Sequence, residues 1–234
     1  MVIDENYIKK STGLDVFVTD ACNSTFDEIG AHDVIVAKTQ KRGAGRGDHT
    51  FYSPRGGIYT VMRECGLNID AHTLTPAVGL AVRDAIKTVL HVDTRLKWVN
   101  DIIYNDKKIC GILCRQPRRG EFLIGVGINF STDINELKSA GLPDAGTLDA
   151  PEMSATTFVT EMLNRIRTAT LMPFDFARYN SLCETVGKNI SFTHNGSTMS
   201  GFAERVERDG TLIVRMGPVT VAVDAGEVNI IRQA

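Results

Sequence analysis

The chain has 234 residues, 43% of them apolar, and a formal net charge of −2. That is enough apolar material for one large domain, or for a medium and a small one, and it excludes wholesale disorder. It also excludes a globally basic nucleic-acid binder, so contact with phosphate has to come from local basic clusters.

The five cysteines, Cys22, Cys65, Cys110, Cys114 and Cys183, are odd in number and sit mostly among apolar neighbours. They read as reduced thiols. Cys110 and Cys114 fall on one face of an expected strand, and no second Cys pair or His-rich segment supports a metal site. The opening MVIDENYIKK lacks a basic region followed by an apolar run, and no stretch approaches the roughly 20 apolar residues of a membrane span. A soluble cytoplasmic protein is expected.

In chain order, residues 15–21 alternate and predict a strand. Residues 23–30 predict a short helix, with Asn23 or Ser24 as its cap and Gly30 at its end. Residues 33–39 predict a strand buried on both faces. A glycine-rich basic loop, 41–57, follows, and then an alternating strand over 57–65. Apolar residues at helical spacing predict a helix from Thr73 to Leu90. Residues 94–105 and 107–115 predict a hairpin about Asn105-Asp106, and 121–130 a further buried strand. Residues 131–152 read as loop. Helices are expected from Ser154 to about Leu171 and over 174–185.

From Gly187 the character changes to short β runs punctuated by Asn195-Gly196, Asp209-Gly210 and Gly217-Pro218. Five strands in so short a segment predict a small SH3-like barrel. The expected domains are 1–185 and 186–234. The first mixes strands and helices without steady alternation, so its class is α+β.

Five segments could carry chemistry. In the 41–57 loop, glycines permit close approach of a ligand to backbone N–H groups, and Arg46 between Gly45 and Gly47 can pair with phosphate or carboxylate. The loop has neither the P-loop nor the Rossmann order of residues. A mobile surface loop accounts for the same residues. In LKWVND, 96–101, a single strand places Lys97, Val99 and Asp101 on one face and Trp98 and Asn100 on the other. A lysine there needs an anion or carboxylate partner, unless it snorkels from an edge. Lys108 alternates with apolar residues, and Gly111 marks a bulge or a close approach. Asn129 ends the buried GVGIN strand, where a turn cap is the simpler reading. Ser24, Thr25, Asp27 and Glu28 are most simply a helix cap.

Taken together and in order, these motifs resemble those of the biotin–protein ligases, also called biotin–[acetyl-CoA-carboxylase] ligases. The matches are Ser24-Thr25, Gln40, GAGRG at 43–47, Ser53-Pro54, KWVND at 97–101, Lys108 with GIL at 111–113, GVGIN at 125–129 and GEV at 226–228. Departures from the family pattern include Phe26 for Asn, Ala44 for the first loop arginine, Phe51 for Trp, Val99 for Pro and Arg115 for Glu.

The resemblance implies a class II synthetase-like, biotin–lipoate ligase catalytic domain with a mixed sheet and flanking helices, plus the SH3-like barrel. It implies that biotin's carboxylate attacks the α-phosphate of Mg-ATP, and that a lysine of a biotin carboxyl carrier domain then takes biotin from biotinyl-5′-AMP. Lys97 and Arg46 would be the catalytic cations. Ser24, Thr25, Gln40, Gly43, Gly45, Lys97, Gly111, Ile112 and Leu113 would meet biotin. Arg46, Trp98, Asn100, Asp101, Lys108 and Asn129 would meet the nucleotide. The implied partners are biotin, ATP with Mg2+, and the carrier domain, with a homodimer admitted. Because the pattern begins within about 20 residues of the start, no DNA-binding winged helix is expected. A lipoate or octanoate ligase of the same fold, and a non-catalytic biotin-binding homologue, stay open as alternatives.

Overall fold

The computed structural model describes residues 1–67, 69–194, 196–224 and 228–231. Helix α1 (Glu5–Thr12) is capped by Asp4, whose side chain accepts from the Tyr7 N–H. Strand β1 (Val16–Thr19), helix α2 (Thr25–Glu28) and strand β2 (Val34–Ala37) follow. The expected glycine-rich loop is mostly a hairpin, β3 (Gln40–Ala44) with β4 (Thr50–Ser53). Next come β5 (Ile58–Cys65), the long α3 (Ala71–Leu90), and β6 (Arg95–Lys97), β7 (Asp101–Tyr104), β8 (Lys107–Arg118) and β9 (Glu121–Ile128). Helix α4 (Ile134–Ser139) and a 3-10 turn over Glu152–Ser154 interrupt the segment expected to be loop. Helices α5 (Ala155–Leu171) and α6 (Phe176–Leu182) complete this part.

Strands β1, β2, β5, β9, β8, β7 and β6, in that spatial order, form one mixed sheet, parallel only between β1 and β2. The face against α3 is filled by apolar side chains. Gly79 of α3 faces Leu96 and Ile112, where an added Cβ would make ordinary contact at 3.5 and 3.8 Å. Helix α5 packs on α3 through a buried stripe of Phe158, Val159, Met162, Leu163 and Ile166, the spacing of one helix face. Because side chains alternate along a strand, Gly111 and Leu113 point away from α3 and toward the opposite face. That face is bare enough to hold a cleft.

The expected single strand through Lys97, Trp98 and Asp101 is instead two strands. The chain reverses at 98–100, so Lys97 and Asp101 are antiparallel partners. Distant groups enforce the reversal. The Trp98 N–H donates to Thr185 Oγ1 (3.1 Å), and the indole Nε1–H donates to the Gly210 carbonyl (2.9 Å). The Trp98–Val99 peptide is cis. By contrast, the turn between β7 and β8 is the expected one, with Asn105 and Asp106 both at positive φ.

The remaining strands are β10 (Asn189–His194), β11 (Ser197–Val206), β12 (Leu212–Met216), β13 (Val219–Val223) and β14 (Val228–Ile230). They form an antiparallel sheet in the order β13-β12-β11-β10-β14. Asn195 and the Gly226-Glu227 pair of the expected GEV lie outside the described residues. Three ties fix this sheet to the first part. Asn180 exchanges hydrogen bonds with both backbone groups of Val206, Thr73 donates to the Asp209 carbonyl, and Trp98 reaches Gly210. Gly210 sits at φ +89, and an added Cβ would lie 2.3 Å from the His72 carbonyl oxygen, so the turn can approach α3 only as glycine.

Helices α3 and α6 are joined by Asp84, which accepts from Arg178 Nη1 (2.7 Å) and pairs with Arg83. Burial of Asp84 pushes its pKa up, but the two guanidiniums overcome it and hold the carboxyl below its ordinary value. A depressed folded pKa adds stability above the unfolded pKa, and that stability is lost as pH falls through the folded pKa. Asp84→Asn is therefore expected to lower unfolding free energy by about 1–3 kcal/mol at neutral pH. The gap to wild type should close below pH ~4, as read by chemical denaturation across pH.

Candidate active site

The cleft lies across the sheet face away from α3, roofed by the β3–β4 hairpin, with a volume of about 600 Å³. Its floor is built on glycine positions of β8 and β9 that seat two aromatic rings. An added Cβ at Gly127 or Gly111 would lie 2.7 or 2.8 Å from the Phe51 ring, and one at Gly125 would lie 2.5 Å from the Phe26 ring. Two aromatic rings thus rest directly on strands β8 and β9.

One end is polar and neutral. Gln40 Oε1 accepts from the Thr25 N–H (2.9 Å) and from its hydroxyl (3.0 Å). Gln40 Nε2 donates to Ser53 Oγ (2.9 Å), which donates on to the Phe51 carbonyl (2.7 Å). This chain fixes the amide and leaves Nε2 a second hydrogen. Behind it, the buried Ser24 Oγ has no hydrogen-bond partner among the described residues. A buried hydroxyl in that state costs free energy.

The other end is cationic. Arg46, Lys97 and Lys108 line it, and Asp101 is the one carboxylate among the lining residues. Lys108 Nζ lies 2.6 Å from Asp101 Oδ1 and 5.9 Å from the Phe51 ring centroid. Lys97 is half-buried on β6 and has no ion pair among the described residues. Asn100 braces the floor, its Nδ2 donating to the Ile112 carbonyl while its own carbonyl accepts from the Ile112 N–H. On a chain of net charge −2, this concentration of positive charge marks a place for an anion.

Most of the sequence-derived candidates meet here. Thr25, Gln40, Gly45, Arg46, Lys97, Trp98, Asn100, Asp101, Lys108, Gly111, Ile112 and Leu113 all line the cleft. Three candidates lie behind its wall. Ser24 is 2% exposed beneath Thr25. Gly43 lies within the hairpin on β3, opposite Phe51, where an added Cβ would lie 2.4 Å from the Phe51 carbonyl oxygen. Asn129 is buried and donates to the Gly146 carbonyl, pinning the loop after α4. The lining residues His49, Tyr59, Thr60 and Asn229 were not singled out by sequence. Asn229 comes from the second sheet and carries no local signal.

Cysteine chemistry has no place in this cleft. Burial pushes the Cys22 thiol up to about 11 and Cys114 to about 12, and it raises Cys110 and Cys183 as well. These thiols stay protonated at neutral pH and are poor nucleophiles.

The model of the Biotin/lipoate A/B protein ligase family matches residues 18–133, the segment that supplies nearly all of this cleft. Over those residues the chain is similar to that family. Among relatives, it is 28% identical over 237 residues to the biotin–[acetyl-CoA-carboxylase] ligase of Mycobacterium tuberculosis, covering 93% of this chain and 85% of that one. It is 33% identical over 125 residues to biotin–protein ligase 2 of Arabidopsis thaliana, covering 49% of this chain and 37% of that protein. The match therefore spans well under half the length of the plant relative. Among solved structures, the biotin protein ligase of Aquifex aeolicus in complex with biotin and ATP superposes with a TM-score of 0.78 at 20% identity, over 94% of this chain and 99% of that one. That likeness is one of fold: a biotin-ligase catalytic domain followed by a five-stranded sheet of SH3-like kind.

Gly43→Ala should lower the melting temperature, because its Cβ meets backbone that cannot yield, at a cost of about 1–3 kcal/mol. Gly127→Ala meets only a movable ring and should change stability by less than about 1 kcal/mol. Thermal melts of the two variants check the difference.

Proposed function

We propose that this chain is an ATP-dependent biotin–protein ligase. It joins biotin's carboxylate to the α-phosphate of ATP, releasing pyrophosphate, and holds the biotinyl-5′-AMP. A lysine amine of a biotin carboxyl carrier domain then attacks the acyl carbon, AMP leaves, and an amide remains. The observation that carries the reading is the polarity of the cleft. A neutral amide–hydroxyl clamp lies at one end, a glycine floor bearing the Phe26 and Phe51 rings in the middle, and three cations at the other end.

The chemistry follows from that layout. The nucleophile and the phosphorus centre both carry negative charge, so their approach is repulsive until cations offset it. In this reading Lys97 contacts both groups and Arg46 holds the adenylate from the hairpin turn; that both line the cleft supports it. At the far end, a ureido group offers one acceptor and two donors. The Gln40 amide hydrogen suits its acceptor, and the Thr25 hydroxyl oxygen can accept from a donor. Asn100, Trp98, Asp101 and Lys108 form the nucleotide side, with Asn129 supporting it from behind. Mg2+ would accompany ATP, with phosphates and water as its main ligands and Asp101 as the lining carboxylate. It would neutralise phosphate charge. The reading takes 1–185 as the catalytic domain and 186–234 as the SH3-like domain of a cytoplasmic enzyme. None of the described helices is long and apolar enough to cross a membrane.

The test is biotin-dependent exchange of labelled pyrophosphate into ATP, with lipoate as the competing acyl substrate. Exchange with lipoate and none with biotin would contradict the reading. Lys97→Ala is expected to cut exchange by about 10²–10³-fold with an unchanged circular dichroism spectrum. Arg46→Gly is expected to release free biotinyl-5′-AMP to solution, measured by chromatography of the supernatant.

A further inference from the structure

Phe26 lies one residue beyond Thr25, at the neutral end of the cleft, and its ring faces the ligand space. Two contacts fix that ring. Its edge rests on Gly125, where the Cε2 and Cζ atoms fill the place of a Cβ. Its face is covered by the Arg115 guanidinium, with Cζ 4.5 Å from the ring centroid. Arg115 is exposed, on the outer part of β8, and pairs in register with Leu123, which packs with Phe26, Ile29 and Val61. Among the described residues, Arg115 has no carboxylate partner. A long cationic side chain left on the surface would ordinarily sample many rotamers, and here the ring is its recorded partner.

We propose that Phe26 is a specificity residue for the acyl substrate, and that Arg115 is a positioning residue acting through it. The inference rests on the biotin-ligase reading above. Thr25 and Gln40 answer the polar edge of the head group, and the cations at β6 and β8 answer the carboxylate end. The remaining surface of a fused-ring head is apolar and meets the wall that stands on Gly125, which is the Phe26 ring. That wall recognises the second, sulfur-containing ring of biotin by contact area and by the favourable pairing of a thioether with an aromatic ring. Arg115 holds the wall upright, so the contact is formed before the ligand arrives.

The experiment compares biotin with desthiobiotin, which keeps the ureido group and the acid tail and lacks the sulfur ring. Steady-state pyrophosphate exchange is measured with each, for wild type and variants. In Phe26→Ala, KM for biotin should rise about fivefold to tenfold, the size expected for loss of a partial ring contact, while KM for ATP stays at the wild-type value. The preference for biotin over desthiobiotin should fall by the same factor. Arg115→Ala removes an exposed side chain, so folding is preserved. It should raise KM for biotin about twofold to fivefold, and Arg115→Lys should restore most of it. The double variant should match Phe26→Ala alone, because Arg115 acts through the ring. Unchanged discrimination in Arg115→Ala, or in a folded Phe26→Ala, alongside an active wild type, would overturn this inference and leave the ligase reading intact. A wild-type protein that neither binds biotin by calorimetry nor exchanges pyrophosphate would overturn both.

Discussion

The cleft exists because three strand positions carry no side chain. Gly111, Gly125 and Gly127 sit on adjacent strands, β8 and β9, and all point away from α3. Any Cβ there would intrude on the rings of Phe26 or Phe51. The opposite face of the same strands is packed with Ile112, Val126 and Ile128 against the helices. One sheet therefore serves two purposes. Its helical face supplies the apolar burial that stabilises the fold, and its glycine face seats the Phe26 and Phe51 rings that line the cleft.

Charge is distributed along that floor rather than spread over the molecule. The reversal at 98–100 turns Lys97 back beside Asp101, and the β7–β8 turn brings Lys108 onto the same carboxylate. Asp101 thus holds one of two neighbouring lysines and moderates their repulsion, while Lys97 keeps its ammonium for an incoming anion. The hairpin closes the cleft from above and carries Arg46 at its turn, where the Gly45 N–H donates to the His49 carbonyl at 2.9 Å. The neutral clamp at the far end requires nothing from the second sheet. The cleft does: Asn229 lines it, and Trp98 is held by Gly210.

What could be read from sequence was whatever is encoded locally. The Asn105-Asp106 turn, the doubly buried β2, the helical spacing of α3 and the glycines of β8 and β9 all signal through neighbouring residues. The short helices α1 and α4 were missed, because each gains its stability from a capping aspartate and tertiary contact rather than from a long apolar stripe. The break of the strand after Lys97 was missed for a related reason. Thr185 and Gly210, remote in sequence, turn the chain at Trp98, and alternation over 96–101 gave no hint of it. The Phe26–Arg115 contact joins α2 to the far end of β8 and likewise leaves no trace in either segment. The segments that bear the chemistry were legible, whereas the way they face one another was set by packing.

The central claim is that one cleft both activates biotin and passes it to a protein lysine. The most direct measurement incubates the protein with ATP, labelled biotin and an isolated biotin carboxyl carrier domain, then maps the label by mass spectrometry. The account predicts one biotinyl amide on the carrier's acceptor lysine, formed only with ATP present and with one AMP released for each biotin attached. An unlabelled carrier, from a folded protein that binds both biotin and ATP, would contradict it.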